Sequence, residues 1–260
     1  MKHDMHMHPN FLKHPDMFDA FVQQAIRTGI KEICITEHMP LIGDDMHDRL
    51  PHNSVPTYTR SVREQSEKWK DKISIKVGIE MDYHPSTIPE IEAILSANHF
   101  DYVIGSTHLH VPRFHEIEKS GFQSIYTARN YQNILQCVKS GYFHTIAHIN
   151  MYRWIYRNPT EYPLIDDHDT IENHSDVIEE ILSEMKKKDM YLEVNTHLYE
   201  STHDERDIYP DVYIVRKALD CGVRGIFGSD AHKAESVGFA YDFVRSLSPY
   251  KELLSMGACD

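Results

Sequence analysis

Short apolar runs that end in polar residues recur along the chain, and amphipathic stretches with helical spacing lie between most of them. The apolar runs predict seven β-strands, at residues 2–8, 32–36, 73–82, 102–107, 143–148, 190–195 and 225–229. Helices are expected at residues 15–28, 58–69, 89–97, 124–140, 171–188, 211–220 and 236–246. This alternation is typical of a parallel βα sheet or barrel. Seven strands indicate an α/β fold that is a distorted relative of the eight-stranded barrel.

The segments between these elements favour one domain with its active site at one end. Gly29, Gly141 and Gly222 follow predicted helices, at the position where glycine commonly ends a helix. The longer irregular segments, at residues 39–57, 109–123, 150–170 and 198–209, all follow predicted strands. In a βα barrel such loops gather on the C-terminal face, where active sites are built. No linker or repeat marks a boundary, so residues 1–260 are expected to form a single domain.

Charge and composition indicate which classes of binding partner are disfavoured. Forty acidic and 27 basic residues give a formal net charge of -13, which disfavours nucleic acids and anionic membranes as partners. The four scattered cysteines and the absence of a signal-peptide pattern or a long apolar segment predict a cytoplasmic protein without membrane insertion. A small anionic substrate remains compatible, because bound divalent cations would make one pocket locally positive. The oligomeric state stays open.

Histidines and carboxylates lie at the ends of the predicted strands. In D-M-H-M-H, Asp4, His6 and His8 alternate with methionines, so an extended segment would point all three side chains to one side. The later strands end with Glu37 and His38, Glu80 and Asp82, His108, His148, and Asp230 and His232. Six strands therefore deliver possible metal ligands to one face. Imidazole and carboxylate together suit zinc, manganese or iron, and paired cations promote attack on phosphorus.

The motifs D-M-H-M-H, I-T-E-H-M-P-L, G-I-E-M-D-Y, S-T-H, A-H-I and F-G-S-D-A-H-K-A-E-S-V-G-F-A-Y occur in this order between Asp4 and Tyr241. Together they resemble the polymerase-and-histidinol-phosphatase (PHP) superfamily, and most closely its histidinol-phosphatase branch. The resemblance implies a distorted seven-stranded (β/α)7 TIM-like barrel, the PHP fold, that holds up to three divalent transition metals. It also implies metal-dependent hydrolysis of L-histidinol phosphate in histidine biosynthesis.

Matching motif by motif, the resemblance implies a ligand set for each metal. The first metal would be held by His6, His8, Glu80 and Asp230, the second by Glu80, His108 and His148, and the third by His14, His38 and His232. Among these residues, Glu80, Asp230 and His232 are the expected catalytic residues. His110 and His144 are the alternatives to His108 and His148. Glu37 and Asp82 are not assigned as ligands, because either could instead orient an imidazole.

One segment departs from the family pattern. Histidinol phosphatases of this type tend to follow the sixth strand with an N-T-S-G-L-R-like segment whose arginine helps to hold phosphate, whereas residues 195–200 here read N-T-H-L-Y-E. Arg153 is therefore the expected guanidinium for phosphate oxygens, and His197 could take that role or add a metal contact. No Ser, Cys or Asp nucleophile motif is visible, so no phosphoenzyme is expected. The alternatives are another small phosphate monoester or a nucleotide as substrate, or a metal-binding protein without turnover.

Overall fold

Seven parallel strands form one sheet in the computed structural model, which describes residues 1–41, 49–51, 53–108, 123–151 and 171–257. The strands are β1 (His3–Asp4), β2 (Glu32–Ile35), β3 (Ser74–Asp82), β4 (Tyr102–Ser106), β5 (Thr145–Ile146), β6 (Tyr191–Asn195) and β7 (Arg224–Gly228), and they neighbour one another in chain order. Backbone hydrogen bonds from Met5 N to the Phe227 carbonyl (3.0 Å) and from Asp230 N to the His6 carbonyl (2.8 Å) join the two ends of the sheet. The strands thus form a nearly closed barrel.

Helices connect the strands, as the predicted α/β barrel requires. The described α-helices are α1 (Asp16–Arg27), α2 (Val55–Trp69), α3 (Ile88–Ala97), α4 (Gln123–Ser140), α5 (Ser175–Lys187), α6 (His197–Thr202), α7 (Val212–Cys221), α8 (Tyr241–Val244) and α9 (Tyr250–Gly257). The prediction of a distorted (β/α)7 barrel is confirmed. In the part of the chain that the structure describes, none of the helices combines the length and the apolar character that a membrane span needs.

Helix α1 shows how the local sequence produces these elements. Its buried side chains, Phe18, Phe21, Val22 and Ala25, follow helical spacing and form one apolar stripe. Burying each of the larger ones contributes roughly 1.5–3 kcal/mol. Gly29 then adopts a φ of +80°, a left-handed conformation that ends the helical segment and that a β-carbon would disfavour.

The apolar side chains fall into two clusters. The larger one lies between the sheet and the helices, while the smaller one contains Met5, Cys34, Tyr102, Ile104, Ala147 and Ile226. The members of the smaller cluster come from strands or strand ends that are not all neighbours in the sheet, so they meet inside the barrel. This cluster fills part of the barrel interior, and its member Ile104 pairs in register with Glu80. The strand ends at the C-terminal mouth carry buried polar side chains.

Three local predictions differ from the structure. Strand β1 ends at Asp4 rather than at residue 8, because the Asp4 carboxylate accepts hydrogen bonds from the backbone amides of Ser229 (2.9 Å) and Gly238 (2.8 Å). Asp4 therefore does not join His6 and His8. The helix expected at residues 236–246 shortens to α8, since Gly238 and Ala240 both have positive φ. Helices α6 and α9 were not predicted.

Candidate metal centre

Glu80 lies at the centre of the polar mouth, fully buried on β3. Its Oε2 atom lies 3.3 Å from His6 Nε2 and 3.4 Å from His8 Nε2. Its Oε1 atom lies 3.6 Å from His108 Nε2 and 3.3 Å from His148 Nε2. Burial opposes ionisation, but the surrounding histidines hold the pKa of Glu80 well below its usual range. One carboxylate therefore faces two pairs of imidazoles, with His38 Nδ1 as a further neighbour 2.8 Å from Oε2. This is the arrangement of a ligand that bridges two cations.

Asp230 completes the first of these groups. Its Oδ1 atom lies 3.2 Å from His8 Nε2 and 3.7 Å from His6 Nε2, and its Oδ2 accepts a hydrogen bond from Asn195 Nδ2 at 3.2 Å. The residue has a φ of +54°, just beyond the end of β7. The structure thus brings together His6, His8, Glu80 and Asp230, the set predicted for the first metal.

The donor atoms are spaced as a cation would require. Two ligands at about 2.1 Å from a tetrahedral zinc lie roughly 3.4 Å apart. The separations of the Glu80 and Asp230 oxygens from Nε2 of His6, His8, His108 and His148 run from 3.2 to 3.7 Å, and His38 Nδ1 lies closer, 2.8 Å from Glu80 Oε2. His6 Nε2, His8 Nε2 and both Glu80 oxygens are buried without a hydrogen-bond partner among the described residues. Buried polar atoms are costly when unsatisfied, so these residues fit divalent metal ions.

Five groups of described residues have ligand atoms within 4.8 Å of one another. They are His6, His8 and Glu80; Glu80, His108 and His148; His8, His38 and His232; His38, Asp82 and His108; and His197, Asp230 and His232. Only imidazole and carboxylate ligands occur in them, which suits zinc, manganese or iron.

A buried glutamate that the sequence analysis did not single out orients His6. Glu193 on β6 accepts a hydrogen bond from His6 Nδ1 at 2.6 Å with one oxygen, and from the backbone amide of His148 at 2.7 Å with the other. Gly228 leaves room for this contact, because a β-carbon there would collide with the Glu193 carboxylate. Burial opposes protonation, yet Glu193, Asp230 and Glu80 raise the pKa of His6 well above its ordinary value.

His108 has a different carboxylate partner. Its Nδ1 donates to Asp82 Oδ1 at 2.6 Å, while Asp82 Oδ2 lies 2.5 Å from Nη1 of the buried Arg49. Burial would raise the pKa of Asp82, but Arg49 and His108 hold it well below its usual range. Asp82 therefore orients an imidazole, one of the two roles left open for it. The His6–Glu193 and His108–Asp82 pairs, referred to below as the two dyads, each place a proton on Nδ1 of the histidine. The Nε2 lone pairs of His6 and His108 are therefore available to a cation.

The third predicted ligand set is only partly assembled. His8 stacks on His38 and His232, with ring centroids 4.1 and 4.6 Å away. Burial and these imidazoles lower the pKa of His8 well below its ordinary value, which keeps it in the neutral form that binds metals. His14 is exposed just before α1 and belongs to none of the five groups. Its assignment as a ligand stays a prediction.

The remaining candidates divide by position. His197 is exposed at the start of α6, with Nδ1 3.0 Å from the Asp230 carbonyl oxygen. His144 precedes β5, and its Nδ1 accepts from the Val103 amide at 2.9 Å, so it lies at the opposite end of the strand from His148. Arg153 and His110 lie outside the described residues. Burial raises the pKa of Glu37 to about 8, and this side chain belongs to none of the five groups.

Comparison with known proteins identifies the family of this chain and two of its relatives. The PHP domain family matches residues 4–197, about three quarters of the sequence. The chain belongs to the PHP domain family. A Deinococcus radiodurans protein named "Probable histidinol-phosphatase" is 26% identical over 248 residues, covering 92% of this chain and 89% of that protein. The Lactococcus lactis histidinol-phosphatase is 27% identical over 237 residues, covering 90% of this chain and 85% of that protein.

A solved structure shares the fold. The Lactococcus lactis histidinol phosphate phosphatase, solved with zinc, L-histidinol and phosphate, superposes with a TM-score of 0.71 at 22% identity and covers 94% of this chain and 93% of its own. At this identity, the likeness establishes the barrel architecture.

Proposed function

We propose that this chain is a metal-dependent phosphoric monoester hydrolase, a histidinol-phosphatase that converts L-histidinol phosphate and water to L-histidinol and phosphate. The observation that supports it most is Glu80, whose two oxygens face two separate pairs of imidazoles at the open end of the barrel. Two cations bridged in this way suit in-line displacement at phosphorus. The substrate is suggested by the names of the relatives.

Three divalent cations, of zinc, manganese or iron, are the proposed cofactors. His6, His8, Glu80 and Asp230 would hold the first, and Glu80, His108 and His148 the second. The proposed ligands of the third cation are His38, His232 and His14, which lies just before α1. When bound, the cations neutralise phosphate charge and make water nucleophilic near neutral pH.

The chain itself holds the ligands in place and sets their charge. Glu80 and Asp230 supply the negative charge that a cation pair requires, while Glu193 and Asp82 fix the imidazoles of His6 and His108. His232 lies at the mouth with Nδ1 3.0 Å from the Asp230 carbonyl, so Nε2 is left as its free ligand atom. We assign Glu80, Asp230 and His232 as the catalytic residues.

The proposed setting is histidine biosynthesis in the cytoplasm, with a small phosphorylated substrate and no nucleic acid or membrane partner. The acidic balance of the chain supports the exclusion of polyanions. A second candidate is the hydrolysis of another small phosphate monoester, which the arginine-free segment at residues 195–200 favours.

A substrate panel tests the proposal. Protein reconstituted separately with manganese, zinc or iron is assayed for phosphate release from L-histidinol phosphate, phosphoserine, glycerol phosphate and nucleoside monophosphates, with a chelator-treated sample as control. We expect kcat/KM for L-histidinol phosphate to reach about 10⁴ M⁻¹s⁻¹ or more and to exceed that for the other monoesters. A faster monoester would favour the second candidate, and a metal-loaded protein without phosphatase activity would refute both.

A further inference from the structure

A cavity of about 180 Å³ lies at the end of the barrel opposite the metal centre. Most of its lining residues come from the N-terminal parts of β1, β2, β3, β4, β6 and β7, and His144 joins them from just before β5. Among the described residues, this cavity and the five metal-binding groups have no member in common. A cavity of roughly 150 Å³ accommodates a benzene ring, so this space fits a molecule with one ring and a few further atoms.

The inner wall of the cavity is aromatic and apolar. Tyr102, Met5 and Ile226 belong to the smaller apolar cluster inside the barrel, and the half-buried Tyr191 packs against that cluster. The Tyr102 hydroxyl is buried without a hydrogen-bond partner among the described residues, because the nearby Thr145 hydroxyl donates to the Tyr191 carbonyl at 2.7 Å. Such a wall suits a planar ring. A buried hydroxyl of this kind is usually satisfied by a bound molecule or a water.

Two hydrogen-bond donors line the same cavity. His144 Nδ1 accepts from the Val103 amide at 2.9 Å, so the hydrogen of the neutral ring is on Nε2. Burial lowers the pKa of His144 below its ordinary value and keeps the ring neutral, and Lys76 lies close enough to lower this pKa further. The ring stacks on that of Tyr102, with centroids 5.5 Å apart. The imidazole N–H and the neighbouring ammonium together suit the two oxygens of a carboxylate.

An acceptor of opposite charge lies beside these donors. Glu32 Oε1 is 3.0 Å from Lys76 Nζ, and Glu32 Oε2 accepts a hydrogen bond from the Ser74 hydroxyl at 3.2 Å. Each carboxylate oxygen has two lone pairs, so Glu32 can also accept from an ammonium. Both charged side chains are half-buried and line the cavity. A negative and a positive group side by side are complementary to a zwitterion, whose two charges are also neighbours.

We propose that this cavity binds a free α-amino acid with a planar side chain. Its carboxylate lies on Lys76 and His144, and its ammonium lies on Glu32. Its ring packs against Tyr102 and Tyr191. The inference goes beyond the proposed function, because it concerns a separate site at the other end of the barrel and is tested by binding rather than by turnover.

Matched ligands test each part of this contact. Ligand-observed NMR titration of zinc-loaded wild-type protein compares L-phenylalanine with 3-phenylpropanoate, which lacks the ammonium, and with 2-phenylethylamine, which lacks the carboxylate. L-Alanine, which lacks the ring, completes the set. We expect L-phenylalanine to bind with a Kd of about 1 mM or tighter. Each of the other three should bind roughly ten-fold or more weakly, the size expected when a hydrogen bond to a charged group or the burial of a ring is lost.

Variants assign the charges to their partners. Glu32→Gln should weaken binding of L-phenylalanine roughly ten-fold without weakening 3-phenylpropanoate, because only the amino acid has an ammonium. Lys76→Met should weaken both of these ligands without weakening 2-phenylethylamine. Ile226→Trp should fill the cavity and abolish binding of all three, with urea unfolding as the check that the variant is folded. Lys68→Met, which removes a lysine from an ion pair with Asp19 outside the cavity, is the control and should bind as the wild type does.

A further titration separates this cavity from the metal centre. Chelator-treated wild-type protein should bind L-phenylalanine with the same affinity as the zinc-loaded protein. Binding that disappears with the metal, while Glu32→Gln and Lys76→Met bind normally, would place the amino acid at the metal centre and overturn the inference. The absence of saturable binding to the wild type would also overturn it, as would equal affinities for L-phenylalanine and L-alanine. Wild-type protein that binds the amino acid but cleaves no monoester would refute only the proposed function.

Discussion

Two histidines of the metal centre, His6 and His108, each donate Nδ1–H to a buried carboxylate at 2.6 Å, but the two carboxylates differ in their other partners. The second oxygen of Glu193 accepts from neutral groups, a backbone amide and an asparagine side chain. The second oxygen of Asp82 meets the guanidinium of Arg49. The two hydrogen bonds have the same length, but the partner of His6, Glu193, keeps its negative charge, whereas the charge of Asp82, the partner of His108, is compensated by Arg49.

Orientation and charge are therefore separate contributions of a carboxylate that hydrogen-bonds to a metal ligand. Both dyads fix the tautomer of an imidazole, but only Glu193 adds an uncompensated negative charge beside the cation. Asp82 has a second structural role, since its other oxygen accepts a hydrogen bond from the guanidinium of the buried Arg49. We therefore expect Glu193 to affect metal affinity more strongly, and Asp82 to affect the stability of the fold more strongly.

The largest effect is expected from Glu80→Gln, because Glu80 serves both halves of the centre. Removing a bridging charge should lower metal content and reduce kcat/KM by more than the 10–100-fold typical of outer partners of metal ligands. Elemental analysis and steady-state assays measure the two quantities. Glu64→Gln, the same change at an exposed helical position, is the control. Unchanged metal content in Glu80→Gln would contradict a bridging role.

Asp82→Asn should give the next largest effect, on stability. It removes a counter-charge that lies 2.5 Å from the guanidinium of the buried Arg49, and breaking this buried ion pair should cost about 3–5 kcal/mol of unfolding free energy. Glu193→Gln leaves His6 beside the carboxylates of Glu80 and Asp230, so it should cost less, about 1–3 kcal/mol. Urea unfolding of the metal-free proteins measures both values. The double variant Asp82→Asn with Arg49→Met should recover part of the lost stability. Equal unfolding costs for Asp82→Asn and Glu193→Gln would contradict the proposed difference between the dyads.

Glu193→Gln should weaken metal binding by roughly 100-fold, the upper end of the range for such partners, and Asp82→Asn by roughly 10-fold. The reason is that only Glu193 brings an uncompensated charge near the cation. Competition with a chelator of known zinc affinity measures the shift for each variant. A larger loss of affinity in Asp82→Asn would show that orientation, rather than charge, dominates in both dyads.

The smallest expected effects concern the free energy of unfolding of the metal-free protein, which should depend on pH in opposite ways through the two dyads. Asp82 has a lowered folded pKa, so its stabilisation is present above its unfolded pKa near 3.8 and is lost as the pH falls below it. His6 has a raised folded pKa, so its stabilisation is present below 6.5 and is lost as the pH rises through the raised value. The cost of Asp82→Asn should therefore shrink in acid, and the cost of Glu193→Gln should shrink in alkali. Urea unfolding between pH 3 and 9 checks both trends on the scale of about 1 kcal/mol.

Much of the fold could be predicted because its signals are local. The seven strands and the glycines after α1, α4 and α7 follow from apolar runs and helix ends within a few residues of each site. The end of β1 could not be predicted in this way, since it depends on amides of Ser229 and Gly238 more than 220 positions further along the chain. The short helix α8 depends on positive φ at Gly238 and Ala240.

In the metal centre, too, some features follow from local sequence signals and others depend on long-range contacts. Its ligand candidates could be found because parallel strands all end on one face, so a His, Asp or Glu at each strand end must converge. Glu193 carried a weak signal, a single carboxylate inside the apolar strand Y-L-E-V-N, whereas Arg49 carried none. The structure does not bring His14, a ligand implied only by the family resemblance, into any of the five groups.

The βα order, the single polar face and the residue types available to cations follow from the amino-acid sequence alone, because strand period and residue chemistry are properties of neighbouring positions. The carboxylate that hydrogen-bonds to each imidazole, and the cavity at the N-terminal end of the barrel, arise only from the tertiary fold. Those pairings join His6, just beyond β1, to Glu193 on β6, and Asp82 on β3 to His108, just beyond β4, over separations of 187 and 26 positions. They exist only once the barrel has closed and brought the strand ends within hydrogen-bonding distance.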